Sequence, residues 1–345
     1  MMFNQSVHRV GFACKYMHPD QSLPVKRLRE IEGGLTETTT TKAWMERQTA
    51  QDSHDKLWSI IQHNTQAAYN LVQYISGLPH GQRMVRLGSN QLPFYTLDPW
   101  RKFYTGSDVQ EFLARQYRRV GDLAREHDVR LSMHPGQFCC LASNREDVVI
   151  RSLEEFEYHA TLIRWMGYGQ KFQDFKCNVH VSGRNGVDGI KKVLPKLSTE
   201  ALNTITFEND EFNAGIDDIL ELAEHTALVF DNHHHFIHSH EHLKPSDDRY
   251  KRIIDSWRGI RPAMHYSISR EEYLVNTPTT QLPIMSDLLA EGFKRGKLRA
   301  HSNFYTNNAM NDLVHEFTEF SDVMCESKMK NISSLELFNY LQKHT

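Results

Sequence analysis

One apolar stretch of this chain, Val229-Phe230, runs straight into Asp231-Asn232-His233-His234-His235, a carboxylate followed by three imidazoles. The same kind of ending recurs at Met133-His134, Val179-His180, Phe207-Glu208, Met264-His265 and Cys325-Glu326. Asp, Glu and neutral His, without thiolates, are the donor set of zinc, manganese or iron, and the residue types alone do not separate these metals. Taken singly, a His or Glu at the end of a buried segment is more often a hydrogen-bonded structural residue than a ligand. Taken together, six such endings would bury groups that each cost several kcal/mol unless paired or coordinated, so the joint pattern asks for cations. Ions that share a carboxylate can activate a water, neutralise the oxygens of an attacked phosphate and stabilise the leaving oxygen, which is the chemistry of phosphate ester hydrolysis. Glu208 and Glu326, with two oxygens each, are the expected bridges between ions and the expected catalytic carboxylates. His301, between the last two segments, is placed to complete the set.

Ligands at segment ends converge only if the segments lie side by side. Runs rich in β-branched and apolar residues occur at 8–14, 83–88, 129–133, 176–181, 204–208, 226–231, 262–266 and 322–326, and read as eight strands. Amphipathic helical patterns lie between most of them, at 53–76, 107–127, 145–166, 214–225 and 282–294. Eight strands alternating with helices predict an α/β fold of the (β/α)8 TIM-barrel type, one domain over residues 1–345, with the metal cluster at the C-terminal mouth of the strands. Ser107 and Asn144 read as the N-caps of their helices. The polar stretch 20–52 reads as a long loop over the mouth after the first strand, and 232–258 as a second long connection.

Composition narrows the partners. With 345 residues and 39% hydrophobic content the chain can bury a large core, and no apolar stretch approaches the roughly 20 residues that span a bilayer. The start, MMFNQSVHRV, has no basic segment followed by an apolar block, so an intracellular protein is expected, in cytoplasm, nucleoid or nucleus, and not a secreted one. Cys14, Cys139, Cys140, Cys177 and Cys325 form an odd set without CxxC spacing, which predicts reduced, buried thiols. A net charge of -3 gives no overall bias towards nucleic acid, and basic clusters such as Lys294, Arg295, Lys297 and Arg299 are ordinarily solvated faces.

The segments that carry the ligand candidates also carry a resemblance. RLSMHPGQF (130–138), NVHVSG (178–183), TFENDE (206–211), VFDNHHH (229–235), MHYS (264–267) and SDVMCESK (321–328), with VRLGSNQLPF (85–94) before them, resemble the UV damage endonuclease family, in order, over nearly the whole chain. That family is similar in fold and metal arrangement to endonuclease IV of abasic-site repair. The resemblance implies a DNA repair enzyme that incises damaged double-stranded DNA immediately 5′ to pyrimidine dimers, 6-4 photoproducts or abasic sites, leaving a 3′-hydroxyl and a 5′-phosphate without ATP. It implies the metal ligands His134, His180, Glu208, Asp231, His234, His265, His301 and Glu326, holding about three divalent ions, with manganese expected and zinc or iron as alternatives. Within the DNHHH run it leaves His233 and His235 as supporting residues. Gln137 and Phe138 stand where the family uses a Gln-Tyr pair to probe the duplex at a lesion, so Phe138 keeps a stacking surface and loses a hydroxyl. Arg86, Lys294 and Arg295 are candidates for holding phosphates, Arg86 with a buried ion pair as its equal alternative. Two departures stand out. The family's modifiable lysine two residues before the seventh-strand His is Ala263 here, so water or a neighbouring side chain must fill that place. GFACKY (11–16) aligns Phe12 and Tyr16 with a segment that carries Tyr and Asn. The working expectation is a monomer. The competing readings are a metal-dependent sugar isomerase or epimerase barrel and a damage-binding protein without catalysis.

Overall fold

Strand-forming residues and their register dominate the architecture. A computed structural model of the chain describes residues 8–136 and 138–343. Eight strands, β1 (Val10–Cys14), β2 (Met84–Leu87), β3 (Arg130–Met133), β4 (Lys176–His180), β5 (Ile205–Glu208), β6 (Ala227–Val229), β7 (Ala263–Tyr266) and β8 (Asp322–Cys325), form one parallel sheet in the order β6-β5-β4-β3-β2-β1-β8-β7. The seam between β6 and β7 is closed by a single bridge, Asp231 to His265, where the His265 N–H donates to the Phe230 carbonyl at 2.9 Å. The TIM barrel read from the periodicity is therefore the fold, and each of its eight strands lies within a run expected from the sequence.

Alternation along each strand divides the core in two. Phe12, Val85, Met264 and Val323 point outward into the large apolar layer shared with the helices, while Ala13, Met84, Val229, Ala263 and Met324 form a smaller cluster of their own. Space inside is tight. A Cβ on Gly11 would lie 2.5 Å from the Met84 carbonyl oxygen, so the close approach of β1 to β2 requires glycine there.

At the N-terminal face, where the strands begin, Asp322 is fully buried among three arginines. Its carboxylate accepts from the Arg9 backbone N–H at 2.9 Å, Arg130 Nη1 at 2.7 Å and Arg261 Nε at 2.8 Å. Arg130 also lies over the Trp257 ring and donates to the carbonyls of Arg261 and Pro262, so one carboxylate pins the starts of β1, β3, β7 and β8.

Several local expectations are corrected. Helix Ser107–Glu126 begins at Ser107, with Gly106 as an extended cap and no side-chain cap bond. Helix Glu146–Trp165 is preceded by Arg145, whose N–H donates to Ser143 Oγ at 3.2 Å, so Ser143 and not Asn144 closes the turn before it. The stretch 20–52 is not all loop: it holds helices Val25–Gly33 and Lys42–Met45. The first of these has no fully buried residue, although Val25, Leu28 and Ile31 stand at helical spacing and Ile31 packs against the core. The connection 232–258 contains helices Asn232–Ser239 and Asp248–Ser256, capped by Asp231 and Asp247. Among the described residues the five cysteines form no disulfide. Cys139, Cys177 and Cys325 are buried, but Cys14 and Cys140 are only partly so.

Burial alone would raise the Asp322 carboxyl, but Arg130, Arg261 and the Arg9 N–H outweigh it and hold its pKa below the ordinary value. The stability it contributes is present above the unfolded carboxyl pKa of about 3.9 and is lost as pH falls through the lower folded value. Replacing Asp322 by Ala leaves three guanidiniums facing a buried gap and is expected to cost about 3–5 kcal/mol at pH 7. Urea denaturation of the two proteins at pH 7 checks this, and the difference should shrink in melts below pH 4.

Candidate metal centre

Because β3 to β8 each carry a ligand-type residue at or just beyond the C-terminal end, barrel closure brings these side chains to one mouth. There His134, His180, His234, His301 and Glu326 line a cavity of about 270 Å³, while Glu208, Asp231 and His265 are fully buried. A larger cavity of about 680 Å³ lies beside Met45, Leu57, Trp100 and Phe103. Among the described residues no imidazole and carboxylate cluster lines it, so volume alone does not locate the chemistry.

Two compact groups occur, His134-His180-Glu208 and Glu208-Asp231-His265, each with its donor atoms within 4.8 Å of one another. Glu208 belongs to both. Its Oε1 lies 3.0 Å from His265 Nδ1, and its Oε2 lies 3.7 Å from His134 Nε2. Asn178 Nδ2 donates to Oε2 from within the barrel and is itself fixed, its Oδ1 accepting from Thr206 Oγ1 at 2.8 Å. The carboxylate is thus held from below while its oxygens face two sets of imidazoles.

The histidines are oriented by their other ring nitrogens, and the hydrogen-bond partners set the tautomers. Nδ1–H donates to the Pro135 carbonyl in His134 (2.8 Å), to the Asn209 carbonyl in His234 (2.9 Å) and to the Glu326 carbonyl in His301 (2.8 Å). That leaves Nε2 of each for an ion; at His234 burial would lower the pKa, but Asp231 and Glu208 outweigh it and raise it well above the ordinary value, so there a cation would displace a proton. His134 Nε2 and His180 Nε2 are 3.2 Å apart, an approach suited to two lone pairs sharing one cation. His233 is different, since Ser267 and Ser269 hydroxyls take both of its nitrogens at 3.1 Å. His235 turns to Ser239 and Glu241.

The DNHHH run now has a local explanation. Asp231 is the N-cap of helix Asn232–Ser239, its Oδ1 accepting from the His234 N–H at 2.8 Å, which sets His234 one turn along and beside it. Asn209 holds the Asp231 backbone by a reciprocal pair of bonds at 2.9 Å. The other oxygen, Oδ2, is buried with no hydrogen-bond partner, as is His180 Nδ1.

The electrostatics calls for positive charge. Burial, reinforced by Glu208 and Glu326, pushes the Asp231 carboxyl well above its usual range. Burial would do the same to Glu208, but His265 and His180 hold it well below. A partnerless carboxylate oxygen, a shared glutamate and imidazoles with free lone pairs fit divalent cations. His234 and His301 line the same cavity, but among the described residues neither joins a third group as compact as the other two.

Of the two readings of Arg86, the structure shows the ion pair: this largely buried residue of β2 pairs with Glu326 inside the barrel and is only 12% exposed. Glu326 Oε1 is shared between Arg86 and His265 Nδ1, the latter 3.3 Å away. Phe138, by contrast, is 83% exposed on the loop after β3 and is not a core residue. Gln137 lies outside the described residues. Lys294 is exposed, while Arg295 donates to the Ile237 and Glu211 carbonyls. Phe12 and Tyr16 are buried away from the cavity, Tyr16 edge-on to Tyr74.

Sequence reasoning missed Lys176. It opens β4, is buried, and sets its Nζ 2.7 Å from His265 Nε2, so it approaches from across the barrel the histidine that Ala263 does not reach. Burial drives its pKa down to about 7. His265 Nδ1–H donates to Glu208 Oε1 at 3.0 Å, so Nε2 accepts from the Lys176 amine; an ion taking Nδ1 would reverse this, with the neutral amine accepting Nε2–H. A lysine heading the otherwise strand-like KCNVH was the available signal, since a buried strand has no solvent for it. Asp210, Glu211 and Arg299, which also line the cavity, were missed as well.

A parallel eightfold barrel with buried imidazoles and carboxylates at its mouth places the chain with barrels of the endonuclease IV type. The crystal structure of endonuclease IV from Thermus thermophilus superposes with a TM-score of 0.52 at 11% identity, covering 81% of this chain and 95% of that one. The crystal structure of SacUVDE superposes at 0.71 with 23% identity, covering 98% of this chain and 99% of that one. The UV-endonuclease UvdE family model matches residues 8–345, and the chain belongs to that family. Curated relatives include the UV DNA damage endonucleases of Bacillus cereus strain B4264, 24% identical over 315 residues (88% of each chain), and Bacillus mycoides strain KBAB4, 24% identical over 312 residues (87% of each). The chain is therefore a DNA repair endonuclease directed at UV damage, which sets aside the isomerase and the non-catalytic readings. Among the described residues no helix is long and apolar enough to cross a membrane.

Replacing Lys176 by Met, which fills similar space without the amine, should lower affinity for Mn2+ by roughly 10–100-fold. Titration calorimetry on chelator-stripped protein measures this, with unchanged circular dichroism as the control for folding.

Proposed function

We propose that this enzyme cuts the phosphodiester immediately 5′ to UV photoproducts, both pyrimidine dimers and 6-4 photoproducts, and also at abasic sites, leaving a 3′-hydroxyl and a 5′-phosphate. It acts as an intracellular monomer, a single catalytic domain over residues 1–345, and needs no ATP. Family membership supports the incision chemistry, and the observation that carries the mechanism is that Glu208 belongs to both ligand groups.

His134, His180, Glu208, Asp231, His234, His265, His301 and Glu326 hold about three divalent ions, manganese in preference to zinc or iron. When bound, these supply an activated water and neutralise the charge that develops on the phosphate. The chain's own groups do the rest. Glu208 and Glu326 are the catalytic carboxylates, Glu208 fixed by Asn178 and Glu326 by Arg86. The backbone carbonyls of Pro135, Asn209 and Glu326 keep three imidazoles aimed into the cavity. Gln137 and Phe138 fill the gap in the base stack where a lesion has weakened it, since opening that step costs less than the few kcal/mol required in intact duplex.

Glu208→Gln keeps the size and the Asn178 contact but removes the shared charge. Nicking of UV-irradiated supercoiled plasmid with added Mn2+ should fall by roughly 10³-fold or more while the fold is retained. A variant that nicks at the wild-type rate would overturn the assignment of Glu208. Chelation should abolish nicking, and separate addition of Mn2+, Zn2+ or Fe2+ identifies the ion that restores it.

A further inference from the structure

The cavity has two walls, and each carries an exposed aromatic ring. Pro135, Gly136 and Cys139 come from the loop that bears Phe138, and Asp210 and Glu211 from the loop that bears Phe212. Phe212 is 46% exposed although two guanidiniums lie against its ring, Arg295 at 5.5 Å and Arg299 at 5.8 Å from the centroid. Both arginines are held in place. Arg295 donates to the Ile237 and Glu211 carbonyls, and Arg299 Nη1 is 3.3 Å from Glu211 Oε1. Arg299 also lines the cavity, and Glu211 Oε2 lies 3.7 Å from His234 Nε2, so this cluster adjoins the hydrolytic centre.

An exposed phenyl ring beside fixed cations has a clear chemical match. Nucleobases stack on aromatic faces and on guanidinium planes regardless of sequence, and the adjoining phosphates need cations. An intact duplex offers no free base face at its side, whereas a lesion that weakens stacking releases one. Resting on the endonuclease reading above, we infer that Phe212 is a second stacking post, which takes a nucleobase displaced from the duplex at the lesion while Arg299 meets a neighbouring phosphate. Phe138 enters the helix from one wall of the cavity, and Phe212 receives from the other what that opening displaces. Lesion selectivity is then shared between two loops.

The test compares wild type, Phe212→Ala, Phe212→Trp and Arg299→Gln on a fluorescent duplex with one cyclobutane thymine dimer and on the same duplex undamaged. Binding is read by anisotropy in chelator, and nicking kinetics are read with Mn2+. Phe212→Ala should weaken binding to the damaged duplex by roughly 10–100-fold, leave the undamaged duplex unchanged and raise KM more than it lowers kcat, and Phe212→Trp should restore binding. Arg299→Gln should weaken both duplexes and lower the slope of log affinity against log salt by about 1. Wild-type affinity for the damaged duplex in Phe212→Ala overturns the stacking post even when nicking is normal. A wild-type protein that neither binds nor nicks the damaged duplex overturns the endonuclease reading and this inference with it.

Discussion

Glu208 has to be fully buried, ionised and free to use both oxygens, and these demands conflict unless the surroundings are built around it. In a protein interior an isolated carboxylate would take up a proton. Here His265 and His180 hold it ionised, and Asn178 secures it from below. A parallel barrel answers the geometric side of the problem, because it delivers side chains from neighbouring strand ends to one point without any loop having to be rigid. The β5 end supplies Glu208, and β4, β7 and β8 bring His180, His265 and Glu326 around it.

The opposite face of the barrel shows the same principle, a buried carboxylate surrounded by basic groups. Asp322 stands among three arginines where the strands start, and Glu208 among imidazoles where they end. Between them the interior is narrow, and among its polar groups Lys176, Asn178 and Arg86 each reach upward to a residue of the centre. The polar groups inside the barrel are therefore supports of the site, and this accounts for their survival in a space that would otherwise favour Val or Ile.

The strands, and the candidate ligands that they bring together, were legible because both depend on local pattern. An apolar run ending in His or Glu is visible in the chain, and parallel pairing then fixes which residues meet. The supports were not legible, because they depend on contacts across the barrel between segments far apart in sequence. Lys176 meets a histidine 89 residues away, and Arg86 meets a glutamate 240 residues away. Arg86 stayed open between rim cation and buried ion pair because a charged residue in a strand of unknown facing can point either way. Helix Val25–Gly33 was passed over although Val25, Leu28 and Ile31 stand at helical spacing, because charged residues outnumber them and none is fully buried.

Asp231 ties two events together. One of its oxygens caps helix Asn232–Ser239 and the other, without a hydrogen-bond partner, faces the second ligand group. A cation that neutralises this carboxylate also relieves the strain of burying it, and so steadies the first turn of that helix. By thermodynamic reciprocity, whatever frays the turn must loosen the cation by the same free energy. If Asp231 holds a cation as proposed, the backbone amides of residues 232–235 would report its loading, their exchange with solvent following occupancy of a centre that the amides themselves do not touch.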